Sequence, residues 1–298
     1  MFMKSLTSTN GALISILILS AGLTWFNLVS PLPLISHPSA LRTGDVETIK
    51  PLVLAGIDIN YPNSKGVTPL HVVAQEGHVA VAQILLQNGA NLHARYDDLW
   101  TPLHLAAQNG HLEMTTLLIN YGGRVLGPKD DFSPLHFAAQ EGYLDIAQLL
   151  LTHDADVSAR YHNGWTPLHL AAQEGHTPMV TLLLEHGAPI NAMTAQGFTP
   201  LHSAAFLGRL DSVRALLVNH ATPEVKDHAG QTPHQLALAG GFHEVARMLF
   251  EFEKTGELPR EFQDGFGEDR STTPSLPAIP DTMPLIDSFP NAGSWNQV

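Results

Sequence analysis

The sequence predicts an all-α repeat solenoid of stacked helix–turn–helix units joined by β-hairpin-like loops. Three columns predict it. Thr68-Pro69-Leu70-His71 recurs as Thr101-Pro102-Leu103-His104, Ser133-Pro134-Leu135-His136, Thr166-Pro167-Leu168-His169 and Thr199-Pro200-Leu201-His202, then degenerates to Thr232-Pro233-His234-Gln235; the steps are 33, 32, 33, 33 and 33 residues. Nine residues after each Thr or Ser stands a glycine (77, 110, 142, 175, 208, 241), and seventeen after it a leucine (85, 118, 150, 183, 216, 249).

Each copy follows from its own residues. Thr or Ser is a helix N-cap whose hydroxyl accepts an otherwise orphaned amide. Proline comes next, at the first helical position, where its missing N–H costs nothing. A first helix of about two turns carries small residues such as Ala106-Ala107 and Ala171-Ala172, which let neighbouring helices approach closely. The glycine ends that helix with the backbone freedom of a tight reversal. A second helix follows, as in Ala80 to Gln87, with Leu85 and Leu86 facing inward. Asn88-Gly89 closes it, and a loop leads to the next cap. Pro178 falls in the first turn of its helix, where proline is tolerated. Two-turn helix pairs cannot bury an apolar face alone, so the copies must stack.

This pattern resembles the ankyrin repeat, whose period is 33 residues and whose signature is T-P-L-H-x-A. The resemblance covers residues 66–253, with repeats starting near 66, 99, 131, 164, 197 and 230. Residues 36–65, from Leu41-Arg42-Thr43-Gly44-Asp45 to Asp58-Ile59-Asn60, keep the register without the tetrapeptide and read as a truncated N-terminal cap. The last copy is also atypical, as terminal repeats are expected to be.

The resemblance implies a non-enzymatic protein-binding scaffold that uses its loop tips and the concave face of its first helices. Carried onto this sequence, the tips include Arg95, Tyr96 and Asp97, Lys129, then Arg160, Tyr161 and His162, and Lys226. The concave column is Gln75, Gln108, Gln140 and Gln173, changing to Phe206. Arg-Tyr occurs in two tips, each followed by a tryptophan (Trp100, Trp165), and Arg, Tyr and Trp are the usual hot-spot types. The competing reading makes these ordinary turns, with the tryptophans packed on the next helix. The glutamines read either as a satisfied polar face or as hydrogen-bonding groups for a peptide. The resemblance also implies a structural role for the tetrapeptide pairs Thr68/His71, Thr101/His104, Ser133/His136, Thr166/His169 and Thr199/His202.

The chain has 17 histidines and no cysteine. Five histidines belong to the tetrapeptide and three (His78, His111, His176) follow the turn glycine. Neighbouring copies stand about one helix diameter apart, ~10 Å. Zinc needs nitrogens at ~2.0–2.1 Å, so equivalent histidines cannot share one ion. No metal and no cofactor are expected; a His-rich metal-binding protein is the alternative reading, and a structural spacer another. The missing cysteines exclude disulfides, zinc–thiolate sites, Fe–S clusters and a thiol nucleophile. The P-loop, H-E-x-x-H, G-x-S-x-G and EF-hand patterns are absent, as is N-x-[ST].

The net charge is −13, of which 11 basic and 21 acidic residues place −10 in residues 36–253. That balance argues against nucleic acid, which needs basic surface, and favours a protein partner of neutral or basic surface on a monomeric array. Residues 1–35 carry Lys4 as their one charge, before an apolar run from Gly11 to Phe26 that extends to Val29. This layout is that of an export signal or a membrane anchor. It predicts an exported chain, either anchored by residues 11–29 or released outside the membrane (secreted or periplasmic) after cleavage, with the membrane touched only through this segment. Residues 254–298, with six prolines and 3 basic against 7 acidic residues, read as a disordered Pro-rich acidic tail.

Overall fold

The computed structural model describes residues 5–7, 13–15, 33–97, 99–126 and 132–263. Two three-residue strands, β1 (Ser5–Thr7) and β2 (Leu13–Ser15), pair antiparallel, Ser5 opposite Ser15. Apart from β2, the apolar run of residues 11–29 lies outside the described residues. Among those described, no helix is long and apolar enough to cross a membrane. Helices then come in pairs: α1 (Pro38–Thr43) and α2 (Val46–Leu54), α3 (Pro69–Glu76) and α4 (Val79–Gln87), α5 (Pro102–Gln108) and α6 (Leu112–Asn120), α7 (Pro134–Glu141) and α8 (Leu144–Thr152), α9 (Pro167–Glu174) and α10 (Thr177–Glu185), α11 (Pro200–Phe206) and α12 (Leu210–Val218), α13 (Pro233–Ala239) and α14 (His243–Thr255).

The chain divides into two compact units, residues 1–109 with 116–123, and residues 110–115 with 124–298. In the first, α3 packs against α1 and α5, and α2 against α4. In the second, α7, α9, α11 and α13 form one row and α8, α10, α12 and α14 the other. The first row holds the small residues: Ala138-Ala139, Ala171-Ala172 and Ala204-Ala205 are all fully buried. The leucine column supplies the core between the rows, with Leu150, Leu183, Leu216 and Leu249 fully buried.

The tetrapeptide histidine does two jobs. Its Nδ1 accepts the backbone N–H of its own cap residue, from Thr68 to His71 at 3.1 Å, Ser133 to His136 at 3.1 Å, Thr166 to His169 at 3.2 Å and Thr199 to His202 at 3.1 Å. With Nδ1 an acceptor, the neutral ring carries its proton on Nε2. That N–H donates to a carbonyl 29 residues further on: His71 to Trp100 (3.0 Å), His136 to Trp165 (3.3 Å), His169 to Phe198 (3.1 Å) and His202 to Gln231 (3.2 Å). Each imidazole thus closes a capping box and ties its repeat to the next. In the last copy Gln235 keeps the first job alone, its Oε1 accepting the Thr232 N–H at 2.9 Å.

A second ladder runs the opposite way, from the residue after the turn glycine to a carbonyl 36 residues earlier. His78 Nε2 meets the Arg42 carbonyl at 2.6 Å, His176 Nε2 donates to that of Gln140 at 2.9 Å, and Arg209 Nε to that of Gln173 at 2.8 Å. The side chain lies flat over the glycine of the preceding repeat. A Cβ on Gly142 would stand 2.9 Å from the His176 ring, and its φ of +76° already favours glycine.

The ends differ from the interior for local reasons. Asp45 caps α2 by accepting the Thr48 N–H at 3.1 Å, and Leu34, fully buried, donates its N–H to the Asp58 carbonyl at 3.0 Å, so the N-terminal cap begins slightly before residue 36. At the other end the sequence places residues 254–263 in an irregular tail; the structure corrects this. Helix α14 runs to Thr255, Gly256 turns the chain at φ +72°, and a 3-10 turn at Arg260–Phe262 folds back. Phe262 is buried and takes the Arg247 guanidinium over its ring at 5.3 Å, while Arg247 Nη1 bonds Glu261 Oε1 at 3.1 Å. One aromatic side chain with apolar surface to cover outweighs the Pro-rich composition around it.

Leu150→Ala should cost ~2–5 kcal/mol, the range for a truncated leucine in a close-packed core, measured as a drop in urea midpoint at unchanged m. The histidines make a second prediction. Burial holds His71, His136 and His169 near pKa 4, well below 6.5, against the smaller raising effect of their carbonyl partners. Protonation would also place a hydrogen on Nδ1, where the cap N–H points. The unfolded chain therefore binds more protons between pH 4 and 6.5, so stability is full above pH 6.5 and falls as pH drops towards 4. His169→Gln, which keeps an acceptor for the cap as Gln235 does, should lower the slope of unfolding free energy against pH over this window by about one proton, or ~1.4 kcal/mol per pH unit. An unchanged slope would show that His169 is not part of the effect.

Candidate functional site

The loop tips are closed by paired backbone bonds. Tyr96 N–H donates to the Trp100 carbonyl at 3.0 Å and Trp100 N–H to that of Tyr96 at 3.1 Å; Tyr161 and Trp165 repeat this at 2.7 and 2.9 Å. Asp97 and Asn163 make the reversal with φ of 50° and 51°, a region that Asp and Asn tolerate. In the second unit successive tips are joined, Ala195 N–H to the Asn163 carbonyl (2.6 Å) and His228 N–H to that of Gln196 (2.9 Å).

The aromatic residues of the tips point inward. Tyr96 is 6% exposed, stacks on Trp100 at 6.1 Å and meets His71 edge-on at 5.6 Å; burial, with the Asp97 charge adding, pushes its phenol up to about 12. Tyr161 is half-buried, edge-on to Phe132 at 4.7 Å, and Trp165 is buried. Tyr96 is therefore packed into the base of its loop: the rings of His71, Tyr96, Trp100 and His104 meet in succession there, and Tyr161 meets Phe132, His136 and His162 in the second loop, because burying a ring is worth more than displaying it. Arg95, Asp97, His162 and Lys226 are exposed, as is Arg160, whose guanidinium also bonds the Met193 carbonyl of the next tip. Lys129 lies outside the described residues.

The glutamine column is less open than its sequence suggests. Gln75 and Gln108 are half-buried, whereas Gln140 and Gln173 are 7% and 5% exposed and Phe206 is 9% exposed. These last three stand at the ends of α7, α9 and α11. Gln140 Nε2 donates to Glu141 Oε1 at 3.2 Å and Gln173 Nε2 to Glu174 Oε1 at 3.1 Å, while both glutamine Oε1 atoms are buried without a protein partner. Burial raises the Glu174 carboxyl above its ordinary value; Glu141 pushes the same way, and the Gln173 bond, Arg209 and His176 oppose. One rung on, Phe198, Phe206 and Leu236 line a cavity of about 380 Å³ together with Gln196, Asp227, His228 and Gln231. Another hollow, of about 460 Å³, lies between α8 and α10 against Leu144, Pro178 and Leu182.

Sequence reasoning found Gln140, Gln173 and Phe206 but not Glu141, Glu174 or the pocket walls. The carboxylates were visible as the residue after each glutamine, whereas the pocket needs Phe198 and Leu236 brought together from different loops and helices. Among the described residues no three His, Asp or Glu side chains converge to hold a metal ion.

Comparison with known proteins agrees with the geometry. A family model described as ankyrin repeats (3 copies) matches residues 37–130, 92–161 and 135–227. Mouse (Mus musculus) 60 kDa lysophospholipase is 43% identical over 51 residues, 17% of this chain and 9% of that protein. Human (Homo sapiens) protein phosphatase 1 regulatory subunit 27 is 36% identical over 69 residues, 21% of this chain and 45% of that protein. The matches thus span less than half the length of these curated relatives. Among solved structures, the human ASB11 ankyrin repeat domain is similar with a TM-score of 0.67 and 25% identity, covering 71% of this chain and 96% of that one.

Proposed function

Because the chain belongs to the ankyrin-repeat family, we propose that it is a non-enzymatic protein–protein interaction scaffold that receives its partner on the exposed loop tips and on the face formed by the ends of the first helices. Ankyrin repeats are in general such scaffolds, and the name of the human phosphatase regulatory subunit suits that role for the relative that bears it. The observation that carries the reading is the combination of exposed charged tips with a cavity lined by Phe206 and Leu236 of the first-helix row. With −10 in residues 36–253, the favoured partner surface is neutral or basic, and nucleic acid is disfavoured.

The test is capture of the native partner followed by kinetics with that partner. Arg95→Ala, Arg160→Ala and Lys226→Ala together should weaken capture roughly tenfold or more, since charged interface anchors are frequent hot spots. The wild-type association rate should fall as ionic strength rises, because steering between exposed charges is screened. Unchanged capture and a salt-independent rate would remove the tips and the charge from the reading. A spacer, the alternative role, would leave no partner to lose.

The apolar run of residues 11–29 supports a second part of the proposal, that the chain is exported and then either anchored or released. N-terminal sequencing of the mature protein separates the outcomes. A chain that starts within or just after the apolar run is a cleaved product, and an intact chain in the membrane fraction is anchored. An intact chain free in the cytosol contradicts both.

A further inference from the structure

We propose that the chain closes the open end of its own stack: residues 284–290 return over the outer face of the last repeat and seat Leu285, Ile286 and Phe289 against Leu238 and Phe250.

The face is defined by columns that the interior copies bury. Six residues after the cap stand Ala139, Ala172 and Ala205, all fully buried; in the last copy the position is Leu238, 49% exposed. Two residues after the cap, Leu135, Leu168 and Leu201 are fully buried, and His234, in the last copy, is half-buried. Eighteen after it, Leu151 and Leu217 are buried, whereas Phe250 is 39% exposed. The column beside the first, Ala138, Ala171 and Ala204, stays fully buried in the last copy at Ala237. Helix α13 is therefore well packed on its own repeat, and the exposure arises where a following repeat is missing. Leu238 and Phe250 are the large apolar groups of this face; the His234 ring packs on Phe250 at 5.5 Å, and Lys254 Nζ stands 3.7 Å from the centre of the same ring.

The residues of the face select its occupant. Close approach of one first helix to the next uses alanine at the sixth position, and leucine there would overpack such a contact. A further helix pair, from this chain or from a second copy stacked as the next repeat, is thus held off, and a single segment fits. The chain supplies one at this place. After α14 it turns at Gly256 and folds back onto the same helix, with Phe262 buried, so it leaves the described residues at Gln263 on the terminal repeat itself. A further 35 residues follow, and their densest apolar cluster is Leu285-Ile286-Asp287-Ser288-Phe289, between Pro284 and Pro290. Leu285 comes 22 residues after Gln263. At up to ~3.3–3.6 Å per residue that length spans the face several times over, a helix being only ~10 Å across. The tether also keeps the cluster at about millimolar effective concentration, where a contact too weak to hold a separate molecule still forms. Charge has the smaller part: Lys254 attracts the acidic tail, and Glu253, whose charge acts on His234, opposes it.

The chain has no cysteine, so Ser288→Cys creates a single labelling site. A nitroxide placed there in the full chain should erase the NMR signals of the Leu238 methyls and the Phe250 ring and spare those of Leu144 on α8; reducing the label should restore them. Replacing Leu285, Ile286 and Phe289 together by serine should abolish the loss, and Leu238→Glu should abolish it at Phe250. Amide hydrogen exchange reads the same contact without a label: the triple serine change should speed exchange in α13 and α14 and leave α9 as it was. Signals of Leu238 and Phe250 that survive the nitroxide, equal loss at Leu144, loss that persists in the triple serine chain, or unchanged exchange in α13 and α14 would overturn the proposal. So would loss of these signals from unlabelled chains mixed with nitroxide-bearing ones, which would assign the face to contact between copies.

Discussion

Within each of the two compact units, a buried neutral imidazole that accepts on one nitrogen and donates on the other holds one repeat to the next. His71, His136, His169 and His202 take the N–H of their own cap residue on Nδ1 and give Nε2–H to a carbonyl at the base of the following loop. Both partners are backbone groups that burial would otherwise leave unmet. The geometry admits one protonation state, because a second ring proton would face the cap amide. Desolvation therefore does not merely depress these basicities; it preserves the tautomer on which the spacing of loops and helices depends.

The opposing ladder adds direction to that spacing. His176 and Arg209 reach back over the turn glycines to carbonyls 36 residues earlier, while the tetrapeptide rings reach forward by 29. The repeat that begins at Thr166 is gripped from both sides, by His169 forward and His176 backward. The last repeat differs. Gln235 retains the cap bond alone, and α14 covers its surface with Phe262 instead of another helix pair.

The columns that specify this architecture are legible in the sequence because they repeat. Caps, prolines, turn glycines and inward leucines recur at a fixed interval, and six copies identify helices that no single copy would. What was not legible is whatever depends on contact between copies. Tyr96 reads as an exposed hot-spot residue because it sits in a loop of charges, yet it lies among His71 and Trp100, a neighbourhood visible only once the loop is folded onto the helix before it. Composition likewise placed residues 254–263 in a tail, because the burial of Phe262 outweighs nearby prolines only when α14 is present to receive it. The glutamine column was seen, but its depth was not. That depth is not set by the alanine pairs alone, since Gln108 also follows one and is only half-buried.

The bonding separates what holds the stack from what it can recognise. The bonds that set the repeat interval end on backbone carbonyls and on the tetrapeptide, so they are indifferent to the residue at the end of each first helix. That position is free to change from rung to rung, and it does: Gln140 and Gln173 are followed by Phe206, which turns an acceptor into an apolar floor without disturbing the cap at Thr199 or the link from His202 to Gln231. The residue at the end of a first helix can thus vary one rung at a time, on a frame whose own bonds do not read it. A buried acceptor tolerated at two consecutive rungs is a cost that the frame alone does not require, since an apolar residue fits the next one.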